Sequence, residues 1–182
     1  MAIAKILTST RLVLSTITLT DLEDIHALHS IPEVDRYNTL GIPENMEETR
    51  KLVEPVLKEQ KLTPRKDYTF KIVIKESNEF IGLAGITLSL DKFRLGEIYF
   101  KLAPAYWGLG YATEVSKMLI ETGFEVFKLH KVEAGADTDN IASIRVMEKS
   151  GMVREGLRRK ILPIRGAWRD GYLYAITEDD PR

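Results

Sequence analysis

The sequence predicts an α/β or α+β fold, because about seven strand-like segments alternate with helix-like ones and no single amphipathic helical period runs through the chain. Two helix starts are strongly marked: a glycine-bearing loop before Tyr111, and Asn140, which opens a helix closed at Gly151. In chain order, residues 11–15 read as the first strand. Thr20 with Glu23 forms a capping-box signal for a helix that runs to about Ser30 and is ended by Ile31-Pro32. Asn45 with Glu48 marks the next helix start, and Pro55 is expected to kink or divide that helix. Residues 68–75 and 80–88 form two strands around the turn formers Glu76-Ser77-Asn78-Glu79, and residues 95–102 pair next. A helix over 110–127 places Val115, Leu119 and Thr122 on one face for packing against a sheet. The last strands are expected at about 132–136, 152–158 and 171–177. With no linker, tandem repeat or low-complexity tract, residues 1–182 are read as one domain with its core over about 10–177.

Composition narrows the chemistry. Lys plus Arg total 26 against 27 Asp plus Glu, so no global basic field draws the chain to nucleic acid or to an anionic membrane. The absence of cysteine excludes disulfides, thiolate metal sites and an acyl-cysteine intermediate. No apolar run approaches the ~20 residues of a membrane span, and residues 1–7 are too short for a signal peptide, so a cytoplasmic protein is expected. His26, His29 and His130 show no metal-ligand spacing, and no metal site is expected.

The loop Pro104-Ala105-Tyr106-Trp107-Gly108-Leu109-Gly110-Tyr111-Ala112-Thr113-Glu114 lies between a strand-like and a helix-like run. Gly108 and Gly110 let the backbone approach a ligand, and the free N–H groups of the first helical turn favour a phosphate or pyrophosphate. Downstream, Asn140 to Gly151 reads as an asparagine-capped helix with a glycine end. The Tyr-Trp-Gly-x-Gly-Tyr-Ala-Thr-Glu run and the Asn-x-x-Ser-x-x-x-x-x-x-x-Gly run, in this order, resemble the GNAT family of acetyl-CoA-dependent N-acetyltransferases. Within it they are most similar to the RimJ/RimL-like branch, over about Thr10 to Thr177.

The resemblance implies a mixed, twisted, mostly antiparallel sheet with helices on both faces and a V-shaped cleft that admits coenzyme A. It implies that the pantetheine arm pairs with backbone near Leu102, and that the pyrophosphate lies on the amides of Trp107, Gly108, Leu109, Gly110, Tyr111 and Ala112. Asn140 is then expected to hold the pantetheine and Ser143 to donate to the departing sulfur. Two positions depart from the wider family: Trp107 stands where a Gln or Arg opens the phosphate loop, and Met147 stands where many members carry the tyrosine that protonates the thiolate.

Attack of an amine on a thioester needs a neutral amine, a stabilised oxyanion and a protonated leaving group. Glu97, on the strand expected to line the cleft, is the candidate to take the amine proton directly or through water, and backbone near residues 100–102 the candidate to polarise the carbonyl. The acceptor is expected to be a primary amine, either a protein N-terminus, ribosomal proteins included, or a small molecule, acted on by a monomer or homodimer. A dinucleotide fold would need Gly-x-Gly-x-x-Gly, and the third glycine is replaced by Thr113; a P-loop Gly-Lys-Ser/Thr is absent. The remaining rival is a non-catalytic module that binds acyl-CoA or a protein partner on the same fold.

Overall fold

The computed structural model describes residues 6–181. Among these residues, eight strands form one mixed sheet in the order β1-β2-β3-β4-β5-β6-β8-β7. They are β1 (Ile6–Thr8), β2 (Leu12–Thr16), β3 (Asp67–Ile74), β4 (Phe80–Leu88), β5 (Leu95–Leu102), β6 (Lys131–Asp137), β7 (Val153–Ile164) and β8 (Ala167–Thr177). The helices are α1 (Leu22–His29), α2 (Pro32–Asp35), α3 (Met46–Glu59), α4 (Tyr111–Glu125) and α5 (Ile141–Lys149). Seven strands correspond to the sequence expectation. The eighth, β1, is a three-residue edge strand, too short to show a period, held against Ser15, Leu14 and Val13 of β2. Residues 1–5 of the segment weighed as a signal peptide lie outside the described residues, and no described helix is long and apolar enough to cross a membrane.

Two packed clusters, one on each face, arise from strand alternation. Ala84, Ile86, Ile98 and Leu102 meet Val115 and Leu119 of α4 and Met147 of α5. Leu83, pointing the other way from β4, meets Ile25 of α1 and Val53 of α3. Two helix expectations are corrected. The capping box is formed by Thr18 and Asp21 on a 3-10 turn (Leu19–Asp21) that leads into α1, Asp21 accepting from the Thr18 amide at 2.7 Å, and the side chain of Glu23 makes no such contact. Pro55 does not divide α3: its ring lies on the exposed side, where solvent can serve the Lys51 carbonyl left without a donor.

One pairing places the site. β5 and β6 form the sheet's parallel pair, and they are in register over Leu95↔Lys131, Gly96↔Val132 and Glu97↔Glu133 alone. Gly96 allows that approach, since a Cβ there would stand 2.5 Å from Leu129 Cδ1. Past Glu97, β5 stays with β4 as far as Leu102↔Gly82 while β6 stays with β8 as far as Asp137↔Gly171. The sheet splits into a V.

Candidate active site

Beyond Glu97 the outer edge of β5 has no strand beside it among the described residues. The Ala103 amide donates to the Ile81 carbonyl on the β4 side at 3.0 Å, so the alternating parity of a strand turns the polar groups of Phe100 and Leu102 toward the V. One of them is occupied. The Trp107 indole Nε1 donates to the Leu102 carbonyl at 2.7 Å, which narrows the free edge to the Leu102 amide and the two polar groups of Phe100. Trp107 thus fastens the loop to the strand it leaves, a role its ring did not announce.

A cavity of about 980 Å³ occupies the V. Its α4–α5 lobe is lined by Gly108, Gly110, Ala112, Thr113, Asn140 and Ser143; its α1–α3 lobe by His29, Tyr37, Val53, Thr69, Tyr99 and Lys101. In the first lobe Gly108 and Gly110 have φ of +74° and +82°, and a Cβ would meet nothing within 4 Å at Gly108 and Arg11 Nη2 at 3.5 Å at Gly110. The concavity is therefore open to a ligand, and the amides entering α4 have no carbonyl one turn behind them. The cradle begins one residue later than expected, because the Trp107 amide already donates to the Pro104 carbonyl at 3.1 Å. Leu109, 54% exposed, and Tyr111 do not line the cavity.

Arg11 holds this loop from a hundred residues away, and nothing in the local sequence signalled it. Its Nε and Nη2 reach Glu114 at 2.7 and 2.6 Å, its Nη1 donates to the Leu109 carbonyl at 3.0 Å, and its guanidinium lies 4.3 Å from the Tyr111 ring centre. Burial pushes the Glu114 carboxyl up, but donors on Ser9 and Arg11 outweigh it and hold it below its usual range. The carboxylate that would repel an anion from the first turn of α4 is thereby engaged on the other side.

Asn140 caps α5, its Oδ1 accepting from the Ser143 amide at 3.2 Å, which leaves its NH₂ group for the cavity. The turn is set by Arg169 on β8, which grips Asp137 and Asp139, while the neighbouring Asp170 accepts from the Lys160 amide at 2.8 Å. Ser143, a turn after Asn140, lines the cavity, and its hydroxyl has no partner among the described residues. Met147 is 1% exposed and packs in the core, so it does not line the cavity from the tyrosine position.

Glu97 is not brought to this group. It lies at the closed end of the V, flanked by Thr87 and Glu133, its side chain exposed and outside the cavity lining. Its expected place in the cleft is corrected for that reason: the sheet is still closed at its level. The β5 side chains that do line the α1–α3 lobe are Tyr99, whose hydroxyl is 2.8 Å from Thr69 Oγ1, and Lys101.

The chain matches the family model for the acetyltransferase (GNAT) domain over residues 11–153. It belongs to the GNAT family. This GNAT chain is 33% identical over 175 residues to the uncharacterized N-acetyltransferase YoaA of Bacillus subtilis, covering 95% of this chain and 97% of that one. A GNAT-family acetyltransferase from Bacillus anthracis superposes with a TM-score of 0.82 at 30% identity, over 96% of this chain and 99% of that one. The spermidine N-acetyltransferase from Vibrio cholerae, solved with CoA and spermine, superposes at 0.80 and 21% identity over 94% and 98% of the two chains, a likeness of fold alone. The protein is an acetyltransferase, and the reading as a non-catalytic module is set aside.

Proposed function

We propose that this GNAT protein, acting as one domain, moves an acetyl group from acetyl-CoA directly to a primary amine through the gap between β5 and β6. One observation carries the proposal: a single cavity joins the open amide cradle, the Asn140–Ser143 turn and a second lobe at the point where the sheet parts. The amides of residues 108–113 would hold the pyrophosphate, and the free edge at Phe100 and Leu102 would pair with the pantetheine. Acetyl-CoA supplies an acyl group activated as a thioester. Asn140 orients the pantetheine through its NH₂, and Ser143 donates a proton or a hydrogen bond to the sulfur. With Glu97 outside the cavity, the amine proton leaves for solvent. An α-amine with a pKa near 8, partly neutral at physiological pH, suits such a site better than a lysine-type amine.

The RimJ/RimL-like branch is part of the same reading. It is supported by the two sequence patterns and by superposition on the ribosomal-protein-S5-alanine acetyltransferase of Vibrio fischeri, with a TM-score of 0.81 at 20% identity. The acceptor is then a protein N-terminus or a small amine. Initial rates with acetyl-CoA and amine both varied should give intersecting lines, and Ser143→Ala should lower turnover by roughly ten- to a thousandfold with acetyl-CoA affinity unchanged. Parallel lines or a trapped acetyl-enzyme would refute direct transfer; full turnover by Ser143→Ala would remove the serine from the chemistry.

A further inference from the structure

The α1–α3 lobe contains an unbalanced charge. Lys101 shares the face of Leu83 and Lys71 across β5, β4 and β3. Lys71 is tied to Asp21 at 2.6 Å. The Lys101 ammonium, in contrast, has no hydrogen bond and no carboxylate within 4.0 Å among the described residues, and it lines the cavity. Burial lowers its pKa to about 8, with Asp35 opposing the shift, so it is charged at neutral pH.

The neighbouring groups do not cancel it. Asp35 is 4% exposed; its Oδ2 pairs with Arg165 at 3.2 Å, so its charge is balanced there, while its Oδ1 has no hydrogen-bond partner among the described residues. His29, its pKa lowered to about 4 by burial, by Lys101 and by His26, is neutral. Glu33 and Arg36, both exposed, oppose each other in sign, and the rest of the wall mixes the uncharged polar Tyr37, Thr69 and Tyr99 with the apolar Ile25, Val53 and Leu83. One positive charge is left over, beside the apolar Ile25, Val53 and Leu83 and one residue along β5 from the free edge at Phe100. A cation so placed attracts an anionic group and repels a second cation. A polyamine would bring two or more ammonium groups against it.

Resting on the transfer reading above, we infer that the acceptor is a small amine bearing a carboxylate and an apolar body, its carboxylate paired with Lys101 and its amine facing the gap between β5 and β6. In the transfer, the amine nitrogen gains the acetyl carbon as the C–S bond breaks. One N–H proton leaves for solvent, and the sulfur departs as the thiol after taking one up.

The test measures CoA release from acetyl-CoA with four probe amines: leucine, its decarboxylated counterpart isoamylamine, leucinamide as a mimic of a protein N-terminus, and spermidine. The wild type should prefer leucine over each of the others by at least tenfold in kcat/KM. Lys101→Met should reduce the leucine-to-isoamylamine ratio at least tenfold, chiefly through the KM for leucine, and Lys101→Arg should restore most of it. CoA release that favours spermidine or leucinamide, or a ratio unmoved in Lys101→Met, would overturn this inference and leave the transfer reading standing. An acetyl-CoA-binding protein that releases no CoA with any of the four would overturn both.

Discussion

The amide cradle can be tested at Gly110, where backbone strain and charge separate. Its φ of +82° lies in the left-handed region, and the Cβ of an alanine would meet only Arg11 Nη2 at 3.5 Å, an ordinary contact. Gly110→Ala therefore costs backbone strain alone, about 1–2 kcal/mol. For a chain of this size that lowers Tm by roughly 2–8 °C. Gly108→Ala, with φ of +74° and nothing within 4 Å, should cost about the same. Gly110→Asp adds a negative charge at the place proposed for pyrophosphate. Two unit charges about 5 Å apart in an effective dielectric of about 20 repel by about 3 kcal/mol, which is roughly a hundredfold in Kd. Scanning calorimetry gives the strain, and titration calorimetry with acetyl-CoA gives the affinity. The alanine variants should bind within a few-fold of wild type, and the aspartate variant should not. A folded Gly110→Asp protein with the affinity of Gly110→Ala would refute the cradle.

Two further outcomes are expected. Arg11→Ala should weaken acetyl-CoA binding about tenfold by freeing both Leu109 and Glu114, and Arg11→Lys should not restore it, because one ammonium cannot replace a guanidinium that bonds a carboxylate and a carbonyl together; unchanged affinity in Arg11→Ala would show that the loop holds its shape alone. His29 sets an acid limit on the fold. Its folded pKa of about 4 lies below the unfolded value of 6.5, so the unfolded chain takes up the proton first, and stability is intact above pH 6.5 and lost as pH falls toward 4. The loss is about 3 kcal/mol across that window, against Lys101 and His26 as the facing charges. Tm measured from pH 7 to pH 4 should fall in the wild type and stay nearly level in a folded His29→Gln variant; equal slopes would place the acid sensitivity in other groups.

The legible parts of the sequence were the local ones. The bounds of β4 and β5 could be read to the residue, since β4 is a compact apolar run and β5 carries Ile98, Phe100 and Leu102 in alternation, and the caps at Asn45 and Asn140 could be read from side chains that bond amides three residues on. The Gly108–Gly110 pair gave the α4 entry for the same reason: positive φ is a property of single residues. What stayed hidden depends on partners distant in sequence. Arg11 meets Glu114 across 103 positions, and Arg169 meets Asp137 across 32. Glu97 shows the same limit from the other side. Alternation placed it on one face with Tyr99 and Lys101, but the level at which β5 leaves β6 is set by the packing of Gly96 on Leu129, and that level decides which of the three enters the cavity.

The position of the split also accounts for why cofactor side and acceptor side differ in legibility. The parallel connection β5–α4–β6 brings the carboxyl ends of two strands and the amino ends of α4 and α5 to one opening, the arrangement in which open α/β sheets receive anionic ligands. That half of the site is built mainly from backbone amides, so it constrains the sequence to glycines and a cap, and these can be recognised in the chain. The opposite half is a wall of side chains from α1, α3 and β5, where one residue can change the ligand while leaving the fold intact. Lys101 is such a residue: no motif contains it, it forms no ion pair among the described residues, and its meaning emerges only once the pairs Asp35–Arg165 and Asp21–Lys71 and the neutral His29 are seen around it.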